Sequence, residues 1–143
     1  RAQGFDQKNP YHQYDLGGHQ KDVWERLKKA GHGSERMKDI SETHDLGKLY
    51  TMTVDEKGMG HFYGHAGVST YIYFKIAPPT IDFEEMFARA LIIERHMAEL
   101  DKWSVHKAKR ELGEEVLRDL VKFWEIDKEK EISLDSSIGK WYN

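Results

Sequence analysis

The chain has 143 residues, of which 38% are hydrophobic and 33% charged, and its formal net charge is −3; this fits one domain with a sizeable core and leaves too little chain for two ordinary ones. Its apolar runs fall short of the roughly 20 residues that span a bilayer, so no membrane role is expected, and the charge gives no broad basic surface for long nucleic acid while leaving short nucleotides open. With no cysteine there is neither a disulfide framework nor a zinc ribbon, so any metal must be held by imidazole and carboxylate, and a reducing cytoplasm is the expected compartment.

Residues 1–18 mix Gly, Asn and Pro with aromatic and histidine positions and read as an irregular arm; Tyr11 and His12 either line a substrate pocket or pack the arm against the domain. Because the chain opens on Arg1 with no signal-peptide-like apolar region, we expect a start trimmed from a longer chain. The spacing predicts a first helix over 19–30, with His19, Val23, Leu27 and Ala30 on one stripe. Gly31-His32-Gly33-Ser34 breaks it, Ser34 serves as an N-cap, and a second helix over 37–45 places Met37, Ile40 and His44 inward before Gly47 ends it. Residues 49–63 read as a small hairpin or extended loop over the site. A third helix is predicted over 65–76, with His65, Val68, Ile72 and Ile76 inward, until Pro78-Pro79 stops it. Asp82 and Glu85 form a capping box for a fourth helix that carries His96 and runs through Glu99. A longer helix over 113–130 puts Leu117, Leu120, Trp124 and Asp127 on one face, and the tail 132–143 lacks periodicity. The expected fold is all-α: residues 1–143 as a single helical bundle with a small hairpin or loop near the site. The charge-rich stretches 21–29 and 128–131 read as solvated faces, as do His32 and His106.

His19, the adjacent pair His44-Asp45, His65, His96 and Asp127 therefore stand on five separate helices and mostly on inward stripes, where unpaired polar groups are costly. Their convergence predicts one shared metal site. Imidazole with carboxylate suits one or two divalent transition ions, Mn, Fe, Co, Ni or Zn, better than Mg. Neighbours on a helix project about 100° apart, so His44 can ligate one ion while Asp45 bridges to a second. His19 and Asp127 complete the first set, and His65 with His96 supplies the second. Two such ions activate water for attack on phosphorus. Lys48 and His61 stand near enough in sequence to bind phosphoryl oxygens, although His61 is equally read as a turn cap. Arg95 is a further candidate for the substrate, within a cationic rim that Lys107 and Arg110 would share.

The ordered set His19, His44-Asp45-Leu46-Gly47-Lys48, Gly64-His65, His96 and Asp127 resembles the HD-domain superfamily of metal-dependent phosphohydrolases over nearly the whole chain. Asn9-Pro10-Tyr11-His12 with Tyr14-Asp15, Thr53-Val54-Asp55-Glu56-Lys57-Gly58, Gly60-His61-Phe62-Tyr63-Gly64-His65 and Leu112-Gly113-Glu114-Glu115 bring it closest to the HD domains of CCA-adding tRNA nucleotidyltransferases and their free-standing bacterial and phage relatives. The resemblance implies metal ligation by the six residues named, with Lys48 beside the phosphate. Departures stand at Ser41-Glu42-Thr43, Gln20 and Ala66, none of them a ligand position. The implied function is a phosphatase, nucleotidase or cyclic phosphodiesterase acting on a nucleotide or RNA end, with Asp45, Lys48 and His61 in the chemistry and Tyr11, His12, Lys48 and Arg95 at the substrate. Two alternatives use the same ligands: a catalytically silent nucleotide- or metal-binding HD module, and an HD-domain diiron oxygenase.

Overall fold

Polar side chains ahead of apolar runs set where the helices begin. In the computed structural model, which describes residues 2–8 and 15–143, α1 spans Leu16–Lys29 with Asp15 accepting the Gly18 N–H, and α2 spans Glu35–Thr43 with Ser34 accepting the Met37 N–H. A one-turn α3 (Lys48–Thr51) leads into an antiparallel hairpin, β1 (Thr53–Val54) and β2 (Gly60–His61), in which Thr53 faces His61 and Val54 faces Gly60. Then come α4 (His65–Ile76), α5 (Phe83–Arg95), a 3-10 turn at Leu100–Lys102, α6 (Val105–Leu112), α7 (Glu114–Lys128) and α8 (Ser137–Tyr142). The fold is all-α apart from the two-residue strands. No helix among the described residues is long and apolar enough to cross a membrane.

The core joins α1, α2, α5 and α7 through side chains such as Leu27, Ile40, Ile93, Leu117 and Leu120, all fully buried; each stabilises the fold by about 1.5–3 kcal/mol relative to exposure. The amino-terminal halves of three of these helices are also tied by charge. The Arg36 guanidinium grips Glu85 through two bonds of 2.7 and 2.9 Å and reaches Asp119 at 2.8 Å, while Arg89 joins Glu85 to Asp39 at 2.8 and 3.1 Å.

Several elements differ from expectation for identifiable reasons. Asp82 caps α5, but the Glu85 carboxylate goes to Arg36 and Arg89, so the expected capping box gives way to an ion-pair network. The inward stripe of α4 is His65, Ser69 and Tyr73, whereas Ile76 is exposed and Val68 and Ile72 are half-buried. Three apolar positions, Val68, Ile72 and Ile76, suggested a different face, and the polar Ser69 turns inward because its hydroxyl receives the Gly47 N–H at 2.8 Å. Gly47 is a contact more than a helix stop: its φ is −58°, and a Cβ would collide with the His65 carbonyl oxygen. The helix predicted to reach Glu99 ends at Arg95 with His96 as its C-cap, and Ala30 is the exposed C-cap of α1. Helices α6 and α8 had no counterpart in the reading of the sequence. They are eight and six residues long, too short for a periodic pattern to emerge. His106 is exposed as expected, but His32 is half-buried, and so is Lys128 at the start of the charged stretch 128–131.

Candidate metal centre

Helix ends build this site. His44 follows the last residue of α2, Asp45 comes one residue later, His65 opens α4, His96 caps α5, and Asp127 is the penultimate residue of α7. His19 stands one turn into α1. Burial is nearly complete except at His19, whose side chain is 19% exposed: His44 and His96 are fully enclosed, and the Asp45 and Asp127 side chains are 4% and 6% exposed. The edge of Phe123 lies against His44, with ring centroids 4.9 Å apart, and walls the cluster with apolar surface.

Backbone carbonyls at these ends fix the histidine tautomers. Carbonyl oxygens only accept, so Nδ1 of His44 must donate to Ile40 and Ser41 (3.2 and 3.0 Å), Nδ1 of His65 to Phe62 (3.1 Å) and Nδ1 of His96 to Ile93 (2.6 Å). Each Nε2 is thereby turned toward the carboxylates, where it carries a proton when the ring is charged and offers a lone pair to a metal when it is neutral, and each ring is oriented by its second nitrogen.

The Nε2 atoms converge on Asp45 from two sides. Its Oδ2 lies 3.3 Å from His19 and 3.2 Å from His44, and its Oδ1 lies 3.0 Å from His65 and 3.3 Å from His96. Asp127 Oδ1 closes the first set at 3.0 Å from His19 and 3.3 Å from His44. His65 and His96 bring their Nε2 atoms within 3.2 Å of each other. Around an ion with bonds of about 2.0–2.1 Å, neighbouring donors lie about 2.9–3.4 Å apart, so both sets have the spacing of coordination edges. His44 Nε2 is buried without a hydrogen-bond partner despite these close carboxylates. An unpaired buried acceptor of that kind is costly unless an ion takes it. The residues thus form two groups that could each hold a metal ion: His19, His44, Asp45 and Asp127, and Asp45, His65 and His96.

Electrostatics tells the same story. Burial opposes charging of Asp45, but the His44 charge and hydrogen bonds from His19 and His65 outweigh it and hold the carboxyl well below its ordinary range. Asp127 is held low against burial by His44 and His19. Burial also opposes protonation of His44, yet Asp45 and Asp127 push it up to about 10, and His19 is raised by the same carboxylates. His96 is lowered, because burial there exceeds the pull of Asp45. The carboxylates are ionised and call for positive charge, which protons supply when a metal does not.

All six ligand positions expected from the sequence meet here, and Lys48 joins them. It is 5% exposed, with Nζ 3.5 Å from Asp45 Oδ2, 2.6 Å from Gln7 Oε1 and 5.0 Å from the centroid of the Phe62 ring. Two other candidates are engaged elsewhere. His61 binds Asp55 at 2.8 Å and stacks on Tyr63, so it braces the hairpin as a turn residue. Arg95 pairs with Glu94 and Glu111 and lies over the Trp103 ring, and none of these partners belongs to the cluster. Tyr11 and His12 lie outside the described residues. Gln7 was missed; the only sequence signal was its place in an arm read as facing a pocket. No protein-family model, curated protein or solved structure matches the chain, so the geometry of the site carries the functional reading.

Proposed function

We propose that the protein is a two-metal phosphohydrolase of the HD type, acting on a phosphomonoester or phosphodiester of a nucleotide or RNA end. The observation that carries this reading is the Asp45 carboxylate, which turns one oxygen to each of two histidine sets. A carboxylate so placed would hold an ion with each set, and a pair of ions would supply the charge that displacement at phosphorus calls for. The His65 and His96 pair fits the borderline ions that imidazole favours, Mn, Fe, Co, Ni or Zn. Bound there, a pair of ions supplies Lewis-acid activation of water and of the phosphoryl group.

The chain's own residues do the rest. His19, His44 and Asp127 fix the first position and His65 and His96 the second, each of His44, His65 and His96 locked by its backbone bond. Phe123 excludes bulk water from the buried side, which strengthens every charge interaction within. Lys48 Nζ donates to a phosphoryl oxygen and balances the charge that develops on it.

The test is product release from a panel of nucleoside monophosphates, triphosphates and 2′,3′- and 3′,5′-cyclic nucleotides with added Mn, Co or Ni, for wild type beside Asp45→Ala. Turnover of one class by wild type, lost at least about 1,000-fold in the variant, is the expected result. A normal rate in Asp45→Ala with unchanged metal content defeats the proposal. Silence across the panel in metal-loaded wild type transfers the site to oxygen chemistry or to binding alone, which oxygen uptake by the iron-loaded protein separates.

A further inference from the structure

Residues 2–8 form a strap that runs from the start of α1 to the hairpin. The Gly4 N–H donates to Asp15 at 2.8 Å, the Phe5 ring lies 6.5 Å from that of Phe62, and the Gly60 N–H donates to the Lys8 carbonyl at 2.7 Å. A Cβ at position 60 would collide with the Gln7 carbonyl oxygen, so glycine lets the strap lie directly on β2. These ties carry the Gln7 side chain inward until it is 2% exposed, and there its Oε1 accepts the bond from Lys48. An ammonium has three N–H groups. Gln7 takes one of them, while the Asp45 carboxylate at 3.5 Å and the Phe62 ring at 5.0 Å attract the ammonium without a hydrogen bond, so donor capacity remains for a ligand at the metal centre.

We propose that Gln7 is a positioning residue that aims Lys48 at a phosphoryl oxygen held at the metal centre, so that the amino-terminal strap is part of the substrate site. This rests on the phosphohydrolase reading. A carboxamide suits the task because it fixes the ammonium without cancelling its charge. A lysine side chain held in advance also loses less freedom when the anion binds. Glutamate has the same shape and would still hold Lys48, but as an ion pair that competes with phosphate.

The test is calorimetric titration of inorganic phosphate into the Mn-loaded full chain for wild type, Gln7→Glu and Gln7→Met, with melting temperatures for each. Lys48 acylation by acetic anhydride in the metal-free chain gives a readout that needs neither metal nor turnover. Gln7→Glu should weaken phosphate binding at least about tenfold without lowering the melting temperature, and Gln7→Met about threefold. Lys48 should be acylated faster in Gln7→Met than in wild type. Phosphate affinity that Gln7→Glu leaves unchanged overturns this inference and leaves the phosphohydrolase standing. Absence of both phosphate binding and hydrolysis in wild type overturns the two together. Should Gln7→Glu fail to fold, Gln7→Met decides: unchanged phosphate affinity with unchanged Lys48 acylation overturns the inference.

Discussion

The Arg36 network and the histidine–aspartate cluster lie along the same three helices, the first on the amino-terminal halves of α2, α5 and α7 and the second at their carboxyl ends. The first is complete in itself: Arg36 and Arg89 direct their donors to Glu85, Asp119 and Asp39 in fork geometry, with every pair between 2.7 and 3.1 Å. The second gathers four imidazole nitrogens and two carboxylates, with only the ammonium groups of Lys48 and Lys128 at its margin among the described residues, 3.5 Å from Asp45 and 3.7 Å from Asp127. Burial and polarity are common to both. The difference lies in closure: a structural network ends in matched charges, whereas a site leaves donors aimed at a common point.

Breaking the closed network should harm the fold and spare the site. Arg36→Met leaves Glu85 and Asp119 without their main partner and should lower stability by about 3 kcal/mol, read by urea unfolding in chelator, while bound metal measured on the folded protein stays unchanged. The open cluster should respond in the opposite way. Adding Mn at about 100 times its dissociation constant should raise wild-type stability by about 2.7 kcal/mol, and Asp45→Ala should abolish most of that gain; an equal gain in the variant would place the ion elsewhere. A smaller effect isolates Glu85, whose carboxyl Arg36 pulls down to about 2 against the opposing effect of burial. A carboxyl lowered on folding stabilises above its unfolded value of about 4.3, and that stability fades as pH falls toward 2. The melting-temperature gap between wild type and Glu85→Gln should therefore be full at pH 6 and narrow steadily below pH 4. The smallest effect concerns Tyr73, whose hydroxyl is buried without a hydrogen-bond partner beside Asp39 and Arg89 and is pushed up to about 12 by burial and by the Asp39 charge. Tyr73→Phe removes that unpaired group and should leave the melting temperature level or raise stability by about 1 kcal/mol; a clear loss would show that the hydroxyl belongs to the network.

The site was more legible in the sequence than the fold around it. Polar groups on inward stripes leave a trace, because a histidine in phase with Val23 and Leu27, or with Met37 and Ile40, stands on the face its helix buries, and it was the ordered set of them that pointed to one site. The second helix and the last long helix were legible for the same periodic reason, whereas His65–Ile76 was legible in its bounds but not in its inward stripe, which is His65, Ser69 and Tyr73. What escaped was set by contacts without a period. Ser69 is inward because the Gly47 backbone needs its hydroxyl, Glu85 leaves its cap because Arg36 is nearer in space than in sequence, and Gln7 reaches Lys48 across 41 positions. His61 and Arg95 illustrate the converse: both are near the motif in sequence, yet Asp55 and Glu111 claim them.

That His44 and His96 sit at the carboxyl caps of α2 and α5, with Asp127 at the end of α7, has an electrical consequence. Each helix presents the equivalent of about half a negative charge at that end, so three negative poles meet where the carboxylates already lie. The bundle attracts a cation there before any ligand bond forms. The same field repels free anions, and among the described residues the ammonium groups of Lys48 and Lys128, 3.5 Å from Asp45 and 3.7 Å from Asp127, offset part of it.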